Sequence, residues 1–384
     1  MNTPLARGMS RVTDLTRAGK LDEATALIQS LLQGGSASAI RPAVTDAAPA
    51  DGDLIEGSFT RLETPVAAPA RPKVRRGLAD TLRNIAAAGM PGSGRRAPLP
   101  ADLPEGARFL SLTHGGAQGR RDYRLYVPAR RSEGRMPLVV MLHGCTQSPE
   151  DFATGTGMNA LAEEFGFLVA WPAQPTGANA QKCWNWFRPE DQGRDRGEPA
   201  LLAGIVRDIL RDHPADAARV YVAGLSAGGA AAAIMGAAYP EVFAAVGVHS
   251  GLPVGGARDV ASAFAAMRGG SAGAAHPVAV PTIVFHGLAD ATVHPGNGAA
   301  VVAQAMAPRS GLRQVRASGR SQGGRSYSQT RHLDAADKSI AEHWEIAGAA
   351  HAWAGGHPGG SYTDPAGPDA SREMIRFFMQ HRQD

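Results

Sequence analysis

From Phe109 onward, short runs rich in β-branched and aromatic residues alternate with longer stretches whose apolar positions recur at helical spacing. That alternation is the pattern of βαβ units around a mainly parallel sheet. It predicts strands at 123–127, 137–142, 167–171, 220–223, 244–248, 282–285 and 341–346, and helices at 157–165, 200–211, 227–238, 296–306 and 369–382. Earlier in the chain, Val12, Leu15, Leu21, Ala24, Leu27, Ile28 and Leu31 follow mostly helical spacing, with Gly19 and Lys20 at a turn. This predicts a small amphipathic helical hairpin over 9–33. One such unit makes no solenoid, so its expected role is docking or self-association. Residues 34–104 are rich in Ala, Pro, Gly, Ser and Arg without sustained periodicity and read as a flexible linker, with a weak helical stretch at 78–85. Segment 308–339 is polar and rich in Gly and Ser; it reads as a mobile loop, with a cap over the site as the other reading. The expected division is a hairpin at 1–35, a linker at 36–106 and an α/β domain at 107–384.

Composition narrows the classes. Hydrophobic residues make up 43% and charged residues 19% of 384, which suits a chain with a folded core. No apolar run reaches the roughly 18 residues a membrane span needs. The first residues hold no apolar stretch of the kind a standard secretory leader contains, so none is expected in the chain as given. The net charge of +4 is carried by the first hundred residues, while 101–384 balance. A neutral α/β body has no electrostatic reason to bind nucleic acid, which normally shows itself as a basic patch or stripe. Two cysteines exclude a disulfide-dense scaffold. No Cys, His, Asp or Glu cluster shows zinc-ligand spacing, so no metal is expected, and His249, His286 and His294 are read as structural.

Open α/β sheets place their chemistry after the carboxyl ends of the strands. After 220–223 stands Gly224-Leu225-Ser226-Ala227-Gly228, a G-x-S-x-G sequence between a β-rich run and a helix of small residues. This is the setting of a nucleophile elbow, where glycines two before and two after the serine keep strand and helix from crowding one point. A chance pentapeptide in a Gly- and Ala-rich chain is the alternative, and the strand–turn–helix setting argues against it. A serine nucleophile needs a base and a carboxylate to orient that base, in the chain order serine, acid, histidine. Asp290, after 282–285, is the only acidic residue between Asp259 and Asp334; His351 follows the last strand and precedes the last helix. An oxyanion hole needs two backbone N–H groups. Ala227 supplies one, and Cys145, after the turn at Gly144, is the natural second. Trp353, two residues after the base, with Trp184 and Trp186, would suit an apolar, phenolic or sugar substrate, packing on the rim of the sheet being the other reading.

The ordered set LHGCTQ (142–147), CWNWF (183–187), GLSAGG (224–229), FHGLAD (285–290), GAAHAWAGG (348–356) and GSYTDPAGPDAS (360–371) resembles the poly(3-hydroxybutyrate) depolymerase-like esterases, a family that includes feruloyl and acetylxylan esterases. The resemblance covers about 107–382. It implies an α/β-hydrolase fold and hydrolysis of carboxylic esters without metal or cofactor, with Ser226 as nucleophile, Asp290 as acid, His351 as base, and Cys145 and Ala227 as oxyanion donors. It also implies a disulfide between Cys145 and Cys183 that braces the oxyanion backbone. That bridge suits an extracellular or periplasmic setting, whereas the missing leader suits the cytoplasm. Granule-attacking depolymerases usually carry a polymer-binding domain after the catalytic one; this chain ends at Asp384, which favours a soluble ester or oligomer. The alternatives left open are a non-catalytic granule- or partner-binding protein on the same fold, and a peptidase or thioesterase using the same three residues.

Overall fold

The computed structural model describes residues 103–129, 134–270 and 276–384; the expected hairpin, most of the linker and the weak helix at 78–85 lie outside the described residues. Ten strands form one sheet: β1 (Arg108–Gly116), β2 (Gly119–Val127), β3 (Met136–Leu142), β4 (Leu168–Pro172), β5 (Ala215–Leu225), β6 (Ala245–His249), β7 (Thr282–Gly287), β8 (Arg313–Arg320), β9 (Ser326–Leu333) and β10 (Ser339–Ile346). Their spatial order is β1-β2-β4-β3-β5-β6-β7-β10-β9-β8. The six strands from β4 to β10 in that order run parallel, and antiparallel pairs close both flanks. This is the α/β-hydrolase fold.

Every residue of β3, β4, β6 and β7 is buried, as expected of parallel strands covered on both faces. The helices are α1 (Pro149–Thr156), α2 (Met158–Phe165), α3 (Gly197–Asp212), α4 (Ala227–Ala238), α5 (Val260–Gly269), α6 (Gly296–Met306) and α7 (Ala370–Phe378). On one face, α3, α4 and α6 pack on Leu138, Val140, Val222, Val246 and Val284. On the other, α1, α2 and α7 pack on Val139, Met141, Tyr221, Phe285 and Trp344. Alternate strand residues thus feed two cores. Helix α4 is built of Ala and Gly because it lies close against the sheet: a Cβ on Gly236 would fall 2.5 Å from Val246.

All seven predicted strands and all five predicted helices are present, with shifted ends; the last helix stops at Phe378 rather than 382. The expected mobile loop at 308–339 is corrected: it contains β8 and β9, an antiparallel ribbon that extends β10. Its strands are half-exposed and carry few apolar side chains, so they lack the buried run that marked the central strands. Strand β1, helix α1 and helix α5 were not anticipated either. The last has a legible start, since Asp259 and Ser262 form a reciprocal cap in which each side chain accepts from the other's backbone N–H.

Candidate active site

Four loops meet at the carboxyl edge of the parallel strands. Ser226 sits between β5 and α4 at φ +58°, a conformation a non-glycine residue holds only when its surroundings enforce it. Its N–H donates to His249 O at 2.9 Å, and its carbonyl accepts from Ala230 N–H at 3.0 Å. The glycines of the motif meet their steric purpose. A Cβ on Gly224 would strike the Gly228 backbone and lie 2.7 Å from Leu142 O; one on Gly228 would strike Leu142 O and lie 2.6 Å from His143 O. The elbow is therefore wedged against the end of β3.

Asp290 and His351 are brought together. His351 Nδ1 donates to Asp290 Oδ2 at 2.7 Å, while Asp290 Oδ1 accepts the N–H groups of Thr292 (2.9 Å) and Val293 (2.8 Å). His286 Nε2, which donates to Val293 O at 2.9 Å, also lies 3.5 Å from Asp290 Oδ2. Burial by itself would raise the pKa of this carboxyl. The hydrogen bonds from His286 and His351, the His351 charge and the Val293 N–H outweigh it and hold the group well below the ordinary carboxylate range. An ionised Asp290 fixes the proton of His351 on Nδ1 and leaves Nε2 free to accept one. Ser226 Oγ makes no hydrogen bond among the described residues; such bonds commonly tighten only with substrate in place.

The loop that carries Cys145 is held from several directions. Cys145 is bridged to Cys183, 38 positions away, and Thr146 N–H donates to Gln181 O at 2.7 Å. The Gln147 side chain accepts Gly144 N–H at 2.9 Å and donates to Asp151 Oδ2 (3.0 Å) and Ser361 O (3.1 Å). His143 Nδ1 donates to Gly144 O at 2.8 Å, its Nε2 accepts Gln174 N–H at 3.1 Å, and burial pushes its pKa down to about 4, so the ring is neutral. Neither Cys145 N–H nor Ala227 N–H, the first of helix α4, has a hydrogen-bond acceptor among the described residues. Both are free to receive an oxyanion.

The tryptophans are placed elsewhere than expected. Trp184 is fully buried, its indole N–H on His143 O at 3.1 Å and Arg121 over its ring; Trp186 is buried beside Phe187. Trp353 is also buried, its indole N–H on Ser371 Oγ at 3.0 Å. Trp184 and Trp353 are spent on packing the loops, because their N–H groups and ring faces already have protein partners, and Trp186 packs its ring edge-on against Phe187. Exposed instead at these loops are Leu288, 49% exposed and two residues ahead of Asp290, and the contact of Tyr362 Oη with Thr146 Oγ1 at 3.3 Å. Both Tyr362 and Thr146 have positive φ. Sequence reasoning passed over His143 and Gln147, although both stand in the LHGCTQ string, and over Ser361, and it read His249 as structural. Among the described residues, no group of three or more His, Cys, Asp or Glu could hold a metal ion, and no helix is long and apolar enough to cross a membrane.

The sequence model of the family described as Esterase PHB depolymerase matches residues 121–332, a stretch that includes Cys145, Cys183, Ser226 and Asp290. The chain is 39% identical over 177 residues to the poly(3-hydroxyalkanoate) depolymerase C of Paucimonas lemoignei, covering 42% of each chain. It is 34% identical over 128 residues to the feruloyl esterase B of Neurospora crassa, covering 33% of this chain and 42% of that one. These matches span less than half the length of either relative. Among solved structures, an acetyl xylan esterase from Aspergillus awamori shares the fold at a TM-score of 0.55 and 19% identity, over 71% of this chain and 99% of that one.

Proposed function

Because the chain belongs to the esterase PHB depolymerase family, we propose that it hydrolyses carboxylic esters through an acyl-enzyme on Ser226. The observation that carries this reading is the 2.7 Å pair of Asp290 and His351 on the same sheet edge as the strained Ser226. His351 Nε2 takes the Ser226 proton as Oγ attacks the ester carbonyl. Negative charge gathers on the carbonyl oxygen, where the N–H groups of Cys145 and Ala227 receive it. As the tetrahedral intermediate collapses, the C–O bond to the alcohol breaks and His351 returns its proton to the leaving oxygen. Water then attacks the acyl-enzyme with His351 again as base, releasing the acid and restoring Ser226. Asp290 stays ionised throughout and stabilises the imidazolium.

For substrate, we assign hydroxyalkanoate esters first, with feruloyl and acetyl-xylan esters as the neighbouring class. The likeness to the Paucimonas lemoignei depolymerase supports that order, and exposed Leu288 offers an apolar contact for a short aliphatic acyl unit. The test is a panel of 3-hydroxybutyrate oligomers, methyl ferulate, acetylated xylan, a peptide amide and an acyl thioester, compared by kcat/KM. The oligomers should be turned over fastest. Turnover confined to the amide or thioester overturns the ester assignment, and a folded chain inert toward the whole panel supports a binding protein instead.

A further inference from the structure

His249 ends β6, is fully buried and takes no part in the proton transfers above, yet it touches all three segments that carry the reacting groups. Its carbonyl accepts Ser226 N–H at 2.9 Å. Its ring lies nearly parallel to Phe285 in β7, which leads to the Asp290 loop (centroids 5.8 Å apart, 11° between planes). On another side it stacks on Trp353 (5.1 Å, 27°), two residues after His351. Its Nε2 accepts Ala354 N–H at 3.0 Å, and its Nδ1 meets Ser250 Oγ at 3.2 Å. Ser250 in turn has a positive φ of 49° and donates its N–H to Phe285 O at 2.9 Å.

These partners assign one tautomer. Nε2 accepts a backbone N–H and so carries no proton, which leaves Nδ1–H to donate to Ser250. A second proton on the ring would set N–H against the Ala354 N–H and remove its acceptor. Burial keeps the ring neutral, pushing its pKa down to about 3, with the charges of His286 and His351 acting in the same direction and Asp290 opposing them.

We propose that His249 is a positioning residue that sets the distance between Ser226 and the His351 imidazole, by holding the nucleophile's backbone through its carbonyl and the base loop through Nε2 and its stacked ring. This rests on the esterase reading. A histidine kept only for core packing would affect stability and leave the reacting geometry alone. One that sets the geometry acts on the chemical step, because a shift of about 1 Å in a reacting group can cost roughly a hundredfold in rate.

Three full-length variants separate these cases. His249→Phe keeps the ring's bulk and stacking and removes both hydrogen bonds. His249→Asn keeps a donor toward Ser250 and loses the acceptor for Ala354. His249→Gln can place its amide oxygen near the position of Nε2. Each is assayed on p-nitrophenyl butyrate well below its own Tm, and by its rate of labelling with a fluorophosphonate. Expected are a fall in kcat of about 10- to 100-fold for the Phe and Asn variants with KM within about twofold, parallel slowing of the label, and a Gln variant within about fivefold of the parent. Should the Phe variant fail to fold, the Asn variant carries the same expectation. Unchanged kcat in a folded Phe or Asn variant overturns the proposal, as does a Gln variant as impaired as the Asn one. A parent chain that neither turns over the ester nor takes the label sinks the esterase reading along with it. An active parent with active variants sinks the positioning role alone.

Discussion

On the proposed oxyanion side of the site, Cys145 is tied to Cys183 by a covalent bond and its neighbours Gly144 and Thr146 are pinned by the Gln147 side chain and by Gln181 O. On the acid–base side no covalent bond is used among the described residues. His351 hangs on a loop fixed by its own bond to Asp290 and by Ala354 and Trp353 against the His249 ring. The chemistry explains the difference. An oxyanion donor acts by standing still, since its contribution comes from dipoles that need no reorganisation. The base must accept and return a proton in turn and tolerate a change of charge, which noncovalent packing around an ionised Asp290 permits. Each side nevertheless includes a buried histidine whose pKa burial lowers, His143 or His249.

Perturbations of decreasing size test this contrast. Ser226→Ala removes what both sides serve, and kcat for the ester should fall by roughly 10⁴-fold or more with the far-UV circular dichroism unchanged. Near-parental turnover in that folded variant is incompatible with a Ser226 nucleophile. Asp290→Asn strikes the acid–base side: it removes the charge and lets His351 adopt the wrong tautomer, so steady-state kcat should drop by about 10³- to 10⁴-fold.

Cys183→Ser strikes the oxyanion side and should be milder in rate and larger in stability. Loosening one donor stays below the roughly 10²- to 10³-fold cost of losing it, so a kcat loss of about tenfold with little change in KM is expected. Removing a 38-residue loop closure should lower the unfolding free energy by about 4 kcal/mol on chain-entropy grounds, read from urea midpoints. An unchanged kcat in this variant shows that packing alone holds the Cys145 backbone.

A pH dependence of stability, rather than of rate, is shared by both sides. His143 and His249 have folded pKa values of about 4 and about 3, below the 6.5 of an exposed histidine. Between those values the unfolded chain binds protons that the folded chain refuses, so stability is fully present above about pH 6.5 and is lost as pH falls toward 4. Each such histidine contributes roughly 1.4 kcal/mol per pH unit within that window. Urea midpoints should therefore decline from pH 6.5 to 4, and a flat profile means that neither ring is held neutral in the native protein.

The central parallel strands were legible because burial on both faces leaves runs such as Val139, Val140 and Met141 that admit little else. The placement of Ser226, Asp290 and His351 at strand ends was legible for a related reason: each follows such a strand. The ribbon of β8 and β9 was not, because its pairing is to β10 and its side chains answer mostly to solvent. The tryptophans misled because an aromatic ring near a site suits a substrate and a brace equally well, and only the partners of Trp184 and Trp353 decide. The role of His249 was hidden for a similar reason. Its meaning lies in what Ser226, Phe285 and Ala354 bring to it, from three separate stretches of chain.

The central claim is that Ser226 is the nucleophile, and covalent trapping addresses it most directly. The folded protein is treated with p-nitrophenyl diethyl phosphate, residual esterase activity is followed with time, and the modified residue is located by peptide mass spectrometry. The account predicts one diethylphosphoryl group per chain, on Ser226, accumulating in step with the loss of activity. An adduct on another residue, or full loss of activity with Ser226 unmodified, contradicts it.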